Sequence, residues 1–304
     1  MEKNQRLIII DSNALLHRSF HALPPLKTKS GQETGAVYGY LLTLFKALTD
    51  LCPSGTSPEG RKPLYIVACF DTKGATFRHE MYKDYKVQRP ATPSGIVSQI
   101  PVAKEVVEAL GIPIFAKEGV EADDLIATIC TKNSELEIFI VSGDMDNTQL
   151  VNEKIKVYTL GKGIKDTIIY DINRVRERFG VEPSQMVDFK ALMGDASDNI
   201  PGVEGIGKKT AAEIIQKYGS IKNLYEELAT DTAVLKPKVK EALKQNKESA
   251  LMSLELARMK ADVDIDFKIE DCKFGNFDKN KVAEVFNSLE FYSLVDRLSQ
   301  LGYN

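Results

Sequence analysis

The stretch Ile138-Phe139-Ile140-Val141-Ser142-Gly143-Asp144 decides the fold class, because a short apolar run ends in a glycine and an acid. Three other runs have this layout: residues 7–10 precede Asp11, residues 65–70 precede Asp71, and residues 112–116 precede Glu121, Asp123 and Asp124. In an open α/β sheet the site lies at the carboxyl ends of the strands. The sequence therefore predicts an α/β fold in which these acids meet at one edge of a mainly parallel sheet.

Helical patterns separate the predicted strands. Residues 35–51 place apolar side chains on one helical face, and residues 94–110 and 122–132 are predicted as two more helices. Residues 52–63 are rich in Gly, Ser and Pro and are predicted as a loop. Strand, helix and strand repeats of this length favour parallel pairing with right-handed crossovers.

Nine carboxylates are candidates for a single site. Asp146 follows Asp144 by two residues, and Asp195 and Asp198 lie three residues apart. Like charges a few Å apart disfavour joint ionisation unless cations neutralise them. Oxygen ligands without clustered His or Cys favour Mg²⁺ or Mn²⁺ over zinc. The pattern predicts two or more ions that cleave phosphodiesters. The candidate ligands are Asp11, Asp71, Glu121, Asp123, Asp124, Asp144, Asp146, Asp195 and Asp198. For any single acid at a helix start, a capping role stays open.

Composition narrows the class of protein. The 304 residues include 40 Lys and Arg against 43 Asp and Glu, so the chain outside the nine acids is mildly basic, which suits a polyanionic partner. Four cysteines without a CxxC pair indicate neither disulfides nor a zinc site. No run reaches the ~18 apolar residues of a membrane span. The first residues resemble neither a signal nor a transit peptide, so the expected location is cytoplasmic, at the nucleoid.

Residues 72–93 break the alternating pattern. They mix basic and aromatic side chains without a clear core face, and we predict a mobile connection over the site.

From about residue 181 onward, helical patterns replace the strands, although residues 262–267 alternate and favour one short strand. Residues 202–208 contain the G-x₄-G-K pattern, but Lys209 occupies the Ser/Thr position of a P-loop and no strand precedes the turn. We interpret residues 202–207 as a hairpin between two helices. Its glycines allow close approach to a phosphate, and the helix that follows directs its dipole there.

Together these motifs resemble the 5′-nuclease (flap endonuclease) family, with strong likeness to the 5′→3′ exonuclease domain of bacterial DNA polymerase I. The resemblance runs in order from about residue 6 to 300. It rests on Asp11-Ser-Asn-Ala-Leu-Leu-His-Arg18, Phe70-Asp-Thr-Lys-Gly-Ala-Thr-Phe-Arg-His-Glu-Met-Tyr-Lys-Asp-Tyr-Lys86, Glu121-Ala-Asp-Asp124, Ser142-Gly-Asp-Met-Asp146 and Gly194-Asp-Ala-Ser-Asp-Asn-Ile-Pro-Gly-Val-Glu-Gly-Ile-Gly-Lys-Lys-Thr-Ala211.

The resemblance implies a PIN-like nuclease domain at residues 1–180 with a basic arch at about 72–93. It also implies a helical DNA-binding region, helix-hairpin-helix-like, at residues 181–304. It implies that the nine acids bind Mg²⁺ or Mn²⁺ and that the hairpin binds K⁺. It further implies that Arg78 and Lys86 lie nearest the scissile phosphate, and that these two residues, Asp71 and Asp144 are catalytic. The implied DNA contacts are Arg18, Tyr82, Lys83, Tyr85, Arg89, Gly202, Gly205, Gly207, Lys208 and Lys209.

The implied activity is metal-dependent 5′→3′ exonuclease and flap endonuclease cleavage of DNA, in primer removal and repair. Its expected partners are DNA with a 5′ flap, nick or single-strand/duplex junction, and a DNA polymerase in cis or in trans. Ser12, Met145 and Asn147 depart from the family pattern, which commonly has Gly, Lys and an apolar residue there. Two other classes stay open at this point, a non-catalytic nucleic-acid-binding module and a PIN-type ribonuclease.

Overall fold

A six-stranded sheet with the order β3-β2-β1-β4-β5-β6 forms the centre of the molecule. The computed structural model describes residues 5–51, 64–161 and 166–300. All strand pairs are parallel except β5 and β6, which pair antiparallel. The strands are β1 (Arg6–Asp11), β2 (Leu64–Cys69), β3 (Ile114–Phe115), β4 (Glu137–Val141), β5 (Ile155–Leu160) and β6 (Thr167–Tyr170). The predicted α/β class with a mainly parallel sheet is therefore confirmed.

Helices flank the sheet in the first part of the chain. They are α1 (Ser12–Ala22), α2 (Gly35–Leu51), α3 (Phe77–Met81), α4 (Ser94–Val97), α5 (Gln99–Ala109) and α6 (Ala122–Lys132). The predictions for α2 and α6 match in both bounds, whereas the single helix predicted at residues 94–110 is divided at Ser98. The predicted loop at residues 52–63 lies outside the described residues.

Two apolar layers cover the two faces of the sheet. Along β1, Leu7 and Ile9 face the layer that contains α6, while Ile8 and Ile10 face the layer that contains α2. Both faces of each central strand are buried, as a parallel sheet covered by helices requires. Each strand end is thereby held rigidly, so an acid placed there has a fixed position.

Helices predominate after the last strand. They are α7 (Ile172–Phe179), α8 (Met186–Met193), α9 (Lys208–Tyr218), α10 (Ile221–Ala229), α11 (Pro237–Gln245), α12 (Lys247–Ala257), α13 (Lys279–Ser288) and α14 (Tyr292–Gln300). The short strand favoured at residues 262–267 is absent, since this segment pairs with no strand. None of the helices within the described ranges is long and apolar enough to cross a membrane.

The last two helices return to the sheet. Val282, Phe286 and Leu294 pack in the same apolar layer as α2 and α5, on the far side from α9. The backbone N–H of Phe274 also donates to the carbonyl of Leu64 in β2, at 2.8 Å. The division of the chain near residue 180 stays a prediction, and the end of the chain packs with the sheet rather than with the hairpin.

The basic segment has a core face, contrary to the prediction for residues 72–93. Arg78 is 2% exposed and Tyr85 is 3% exposed, and α3 is only five residues long. Polar contacts to buried carboxylates fix both side chains, which hydrophobic periodicity could not reveal. The segment is thus anchored against the edge of the sheet where the strands end.

Candidate metal centre

Asp11 connects the central strand to the first helix. As the last residue of β1 it also caps α1, and its Oδ1 accepts a hydrogen bond from the backbone N–H of Ala14 at 3.2 Å. Its Oδ2 accepts a hydrogen bond from the Ser142 hydroxyl at 2.6 Å. Because Ser142 follows β4, this bond joins the ends of two adjacent strands.

Asp71 and the start of α6 come together beside Asp11. The Asp71 Oδ1 accepts from the backbone N–H of Ala122 at 2.8 Å, and its own N–H donates to the Asn13 Oδ1 at 3.2 Å. Glu121 is the N-cap of α6, and Asp123 lies in the first turn. The helix dipole favours negative charge at this position.

These acids line an open cleft of about 730 Å³. Six of the nine predicted ligands line it: Asp11, Asp71, Glu121, Asp123, Asp144 and Asp198. Basic side chains, among them Lys73, Lys86, Arg89 and Lys104, share the lining. A cleft lined by both acidic and basic side chains suits cations that bridge to an anionic substrate.

A second group of acids lies next to the first. Carboxylate oxygens of Asp146, Asp195 and Asp198 lie within 4.8 Å of one another. The Lys190 ammonium bonds to the Asp195 Oδ2 at 2.6 Å and also contacts the Asp146 carboxylate. Sequence reasoning missed Lys190, whose signal is a lysine one helical turn before Gly194-Asp195.

Burial and mutual repulsion raise the pKa values of three acids in the cleft, Asp11, Asp71 and Asp123. Burial, with the charges of Asp144 and Asp71, raises the pKa of Asp11 to about 7, although the Ser142 hydrogen bond opposes this. Burial and the charges of Asp11 and Asp144 raise the pKa of Asp123 well above its usual range. Burial also raises the pKa of Asp71. This charge crowding is relieved when cations bind.

Lys190 divides the second group electrostatically. Burial raises the pKa of Asp146 to about 6, despite the nearby ammonium of Lys190. For Asp195 burial acts in the same direction, but the charge of Lys190 outweighs it and holds the pKa at about 2. Lys190 thus balances part of the negative charge that a divalent ion would otherwise balance.

The donor chemistry fits a hard divalent cation. Every predicted ligand offers carboxylate oxygen, and neither His nor Cys belongs to the acidic group detected among the described residues. The residues that can hold ions are Asp11, Asp71, Asp123 and Asp144 in one group and Asp146, Asp195 and Asp198 in the other. Two adjacent acidic groups are consistent with more than one ion.

We expect the metal-free protein to lose thermal stability as the pH rises from about 4 to 7. The folded pKa values of Asp11, Asp71, Asp123 and Asp146 lie above the unfolded ones, so their stabilising contribution disappears as the pH passes through the folded values. His17, with a lowered pKa, opposes this trend, and acids with lowered pKa values, such as Glu137 and Asp195, oppose it at the lower end of the range. Unfolding temperatures in EDTA and in Mg²⁺ across this range test it. A melting temperature in EDTA that rises steadily with pH would contradict this expectation.

Arg78 and Asp124 form a buried pair that does not itself line the cleft. Two guanidinium nitrogens of Arg78 each lie 2.8 Å from an Asp124 oxygen, and the backbone N–H groups of Glu121 and Lys260 donate to the same carboxylate. Asp124 is fully buried. Both oxygens of Asp124 already accept hydrogen bonds, so these contacts favour a structural role for Asp124 and Arg78. Their predicted roles, as a metal ligand and as a group nearest the scissile phosphate, stay predictions.

Tyr85 is also buried, and its predicted contact with DNA stays a prediction. Its hydroxyl lies 3.2 Å from carboxylate oxygens of both Glu121 and Asp198, and its ring is buried, so it offers no stacking face. Tyr82 is partly buried and Lys83 is exposed, and neither contact with DNA is tested by the structure. The two tyrosines therefore differ, because the hydroxyl of Tyr85 holds the carboxylates of Glu121 and Asp198.

Lys86 and Arg89 are positively charged side chains that form ion pairs with the acids. The Lys86 Nζ lies 2.6 Å from Glu121 Oε1 and 3.7 Å from Asp198 Oδ2, and the Arg89 guanidinium contacts Asp198. The backbone of Lys86 has φ 55°, a strained conformation held by its N–H bond to the Asp198 carbonyl. Both cations line the cleft together with the acids.

The glycines of the hairpin have different roles. Gly202 is buried, and an added Cβ would lie 2.4 Å from the Gly194 nitrogen, which favours a packing role against Gly194. Its predicted contact with DNA stays a prediction. Gly205 and Gly207 are exposed, with open space around them. Gly207 is the N-cap of α9, so the first amides of an eleven-residue helix face this space.

Lys208 and Lys209 directly follow the hairpin, and Arg18 lies near the acids of the cleft. Lys209 is exposed, while the Lys208 ammonium donates to the Arg178 carbonyl at 3.1 Å. Arg18 lines a recess beside Asp144 and Asp146, and its guanidinium donates to the Gly161 carbonyl at 2.8 Å. Their predicted contacts with DNA stay predictions.

The chain matches two family descriptions in succession. The description "5'-3' exonuclease, N-terminal resolvase-like domain" matches residues 6–180, and "5'-3' exonuclease, C-terminal SAM fold" matches residues 181–280. The fold and the acidic cleft thus define a nuclease of the resolvase-like, PIN class. The chain belongs to the 5′-3′ exonuclease family.

Two curated relatives are similar to nearly the whole of this chain. DNA polymerase I of Bacillus subtilis is 37% identical over 303 residues, which cover 99% of this chain and 33% of the relative. The 5'-3' exonuclease of Aquifex aeolicus is 37% identical over 297 residues, covering 97% of this chain and 96% of the relative. The chain therefore spans about a third of the length of the polymerases that it matches.

Solved structures share the fold. The T5 D15 protein co-crystallised with metal ions has a TM-score of 0.64 at 22% identity, covering 97% of this chain and 98% of that one. The catalytic core of Rad2 in complex with DNA substrate has a TM-score of 0.64 at 16% identity, covering 98% and 93%. At these identities the likeness concerns the fold alone.

Proposed function

We propose that the protein is a Mg²⁺-dependent, structure-specific 5′ nuclease that cleaves DNA at a 5′ flap, nick or single-strand/duplex junction. One observation carries the proposal: eight of the nine acids named from sequence either line one cleft or belong to the acidic group beside it, and Lys86 and Arg89 form ion pairs with two of them. Metal ions in the T5 protein and DNA in the Rad2 complex support this interpretation.

The roles of the residues follow from their positions. Divalent ions, when bound, make water a better nucleophile and stabilise charge on phosphate oxygens. Asp11, Asp71, Asp123 and Asp144 hold such ions from rigid strand and helix ends. Lys86 and Arg89 exchange their carboxylate partners for the phosphate, as a point charge and a bidentate fork respectively. The product would carry a 5′-phosphate.

The duplex is proposed to bind at the hairpin. Exposed Gly205 and Gly207 let a phosphate approach the amides at the start of α9, and Lys209 adds charge. A monovalent cation such as K⁺ between hairpin carbonyls and the DNA belongs to the same proposal. Together, the hairpin and the cleft would select DNA that has a junction between duplex and single strand.

Replacing Lys209 with Gln should weaken duplex binding and reduce its salt dependence. Each lost phosphate contact lowers the slope of log K against log[salt] by about 1. Fluorescence anisotropy with a labelled duplex in Ca²⁺ between 50 and 200 mM KCl measures this slope. Lys281→Gln, an exposed lysine on α13, is the matched control and should keep the wild-type slope. Equal slopes in all three proteins would remove Lys209 from the interface.

The proposed cellular role is primer removal and DNA repair, alongside DNA polymerase activity. Several relatives named DNA polymerase I are about three times as long as this chain, so a polymerase in cis or in trans is the proposed partner. The Aquifex relative of similar length bears the name exonuclease alone. We place this activity in the cytoplasm, with the nucleoid DNA.

Cleavage of a 5′-labelled flap duplex and a matched single strand, each in Mg²⁺ and in EDTA, tests the proposal. We expect Mg²⁺-dependent cutting within a few nucleotides of the junction and little cutting of the single strand. A matched RNA flap separates the DNA nuclease from a ribonuclease. Binding of the flap without cutting in either Mg²⁺ or Mn²⁺ would favour a non-catalytic binding module.

A further inference from the structure

Asn147 is a buried amide beside the candidate metal centre. It lies in the 3₁₀ helix Asp146–Leu150 and is 0% exposed. Its Nδ2 lies 3.2 Å from Asp123 Oδ1 and 3.4 Å from the Ser142 hydroxyl. Its Oδ1 is one of two buried side-chain atoms in the described ranges that have no hydrogen-bond partner.

The unpaired oxygen makes this amide a costly residue for packing alone. A buried acceptor without a partner is destabilising, and an apolar side chain of similar volume such as Leu would avoid that cost. The amide therefore benefits the structure only through its N–H donors. Both donors point at groups of the acidic cleft.

Through these donors Asn147 links acids that come from different elements. The Ser142 hydroxyl that it contacts donates to Asp11 and accepts from the backbone N–H of Asp144 at 2.8 Å. Asp123 comes from α6. The network thus connects α6 to the ends of β1 and β4.

Only one orientation of the amide serves this network. With Asp123 ionised, as a metal ligand must be, exchanging the nitrogen and oxygen of the amide would place an oxygen against the carboxylate, where two acceptors repel each other. The Ser142 hydroxyl has a single proton, which it already gives to Asp11. With Nδ2 inward, Asn147 supplies partial positive charge to a carboxylate that several other acids surround.

We propose that Asn147 is a positioning residue of the metal centre, which holds the Asp123 carboxylate in register with Asp11 and so strengthens divalent-cation binding. The inference rests on the proposed function, since it assumes that these carboxylates hold the ions. It adds a residue of this chain that departs from the family pattern, where an apolar residue is common. Hydrogen bonds to ligands typically change metal affinity by about 10–100-fold.

Titration of the full chain with Mn²⁺, followed by the EPR signal of the free ion without DNA, tests the proposal. We expect Asn147→Leu and Asn147→Ala each to weaken Mn²⁺ binding by about tenfold or more. Asn133→Leu is the matched control, because Asn133 is also buried and its Nδ2 donates to the Ile129 carbonyl, at the opposite end of α6. That variant should bind Mn²⁺ as the wild type does.

The outcomes distinguish a failure of the role proposed for Asn147 from a failure of the proposed metal centre. Wild-type affinity in both Asn147 variants overturns the positioning role, and the Ala variant decides if the Leu variant does not fold. Equal weakening in Asn133→Leu also overturns it, because the effect would then be general destabilisation. If the wild-type protein itself binds no Mn²⁺, the proposed metal centre fails rather than the role of Asn147.

Discussion

Asp144→Ala should reduce cleavage of a flap substrate in Mg²⁺ by on the order of a thousandfold, which corresponds to ~4 kcal/mol of transition-state stabilisation. Asp144 lines the cleft with Asp11 and Asp123, and in the proposed function its charge would help to hold the ions. Single-turnover kinetics with enzyme in excess isolate the cutting step from product release. DNA binding measured in Ca²⁺ should change far less than the rate.

The control for charge is Asp262→Ala, which removes an exposed acid that has no part in the cleft. It should cleave at the wild-type rate. Asp144→Asn keeps the shape of the side chain while removing its charge, and it should be nearly as inactive as the Ala variant. Near-full activity of Asp144→Ala in Mg²⁺ would show that the assigned acids are not the catalytic ones.

Arg78→Ala should destabilise the fold by about 3–5 kcal/mol, because the fully buried Asp124 carboxylate would lose its partner. Carbonyls of Leu256 and Arg258 at the end of α12 would lose their donors as well. Arg78→Lys should recover only part of this loss, since an ammonium cannot make the paired contact. Urea unfolding at pH 7 in EDTA measures the change.

Lys83→Ala is the matched control in the same basic segment. Lys83 is exposed, so its removal should change the stability by no more than about 0.5 kcal/mol. If Arg78→Ala were as stable as the wild type but unable to cleave DNA, Arg78 would act on phosphate, as the resemblance implied. The structure favours the structural role.

The strand ends were predictable because their signal is local. An apolar run followed by an acid fixes both the strand and the position of its carboxylate, as at Asp11, Asp71 and Asp144. Parallel pairing then brings these acids together without further information. The helices α2 and α6 were predictable for the same reason, from their apolar periodicity.

The remaining roles depend on contacts between segments that are distant in sequence. Asp124 and Arg78 are 46 residues apart, and nothing near either one indicates their pairing. Lys190 reaches Asp146 from a helix 44 residues away. Such pairs determine whether an acid faces an ion or a buried cation, and motif spacing alone cannot distinguish these two cases.

Anomalous diffraction from crystals soaked in Mn²⁺ tests the central claim most directly, that acids gathered at the strand ends hold divalent ions. We expect anomalous peaks within about 2.5 Å of carboxylate oxygens from Asp11, Asp123 or Asp144, and from Asp146, Asp195 or Asp198. The second peak should accompany movement of the Lys190 ammonium away from these acids. An absence of peaks in the cleft at saturating Mn²⁺ would contradict the account.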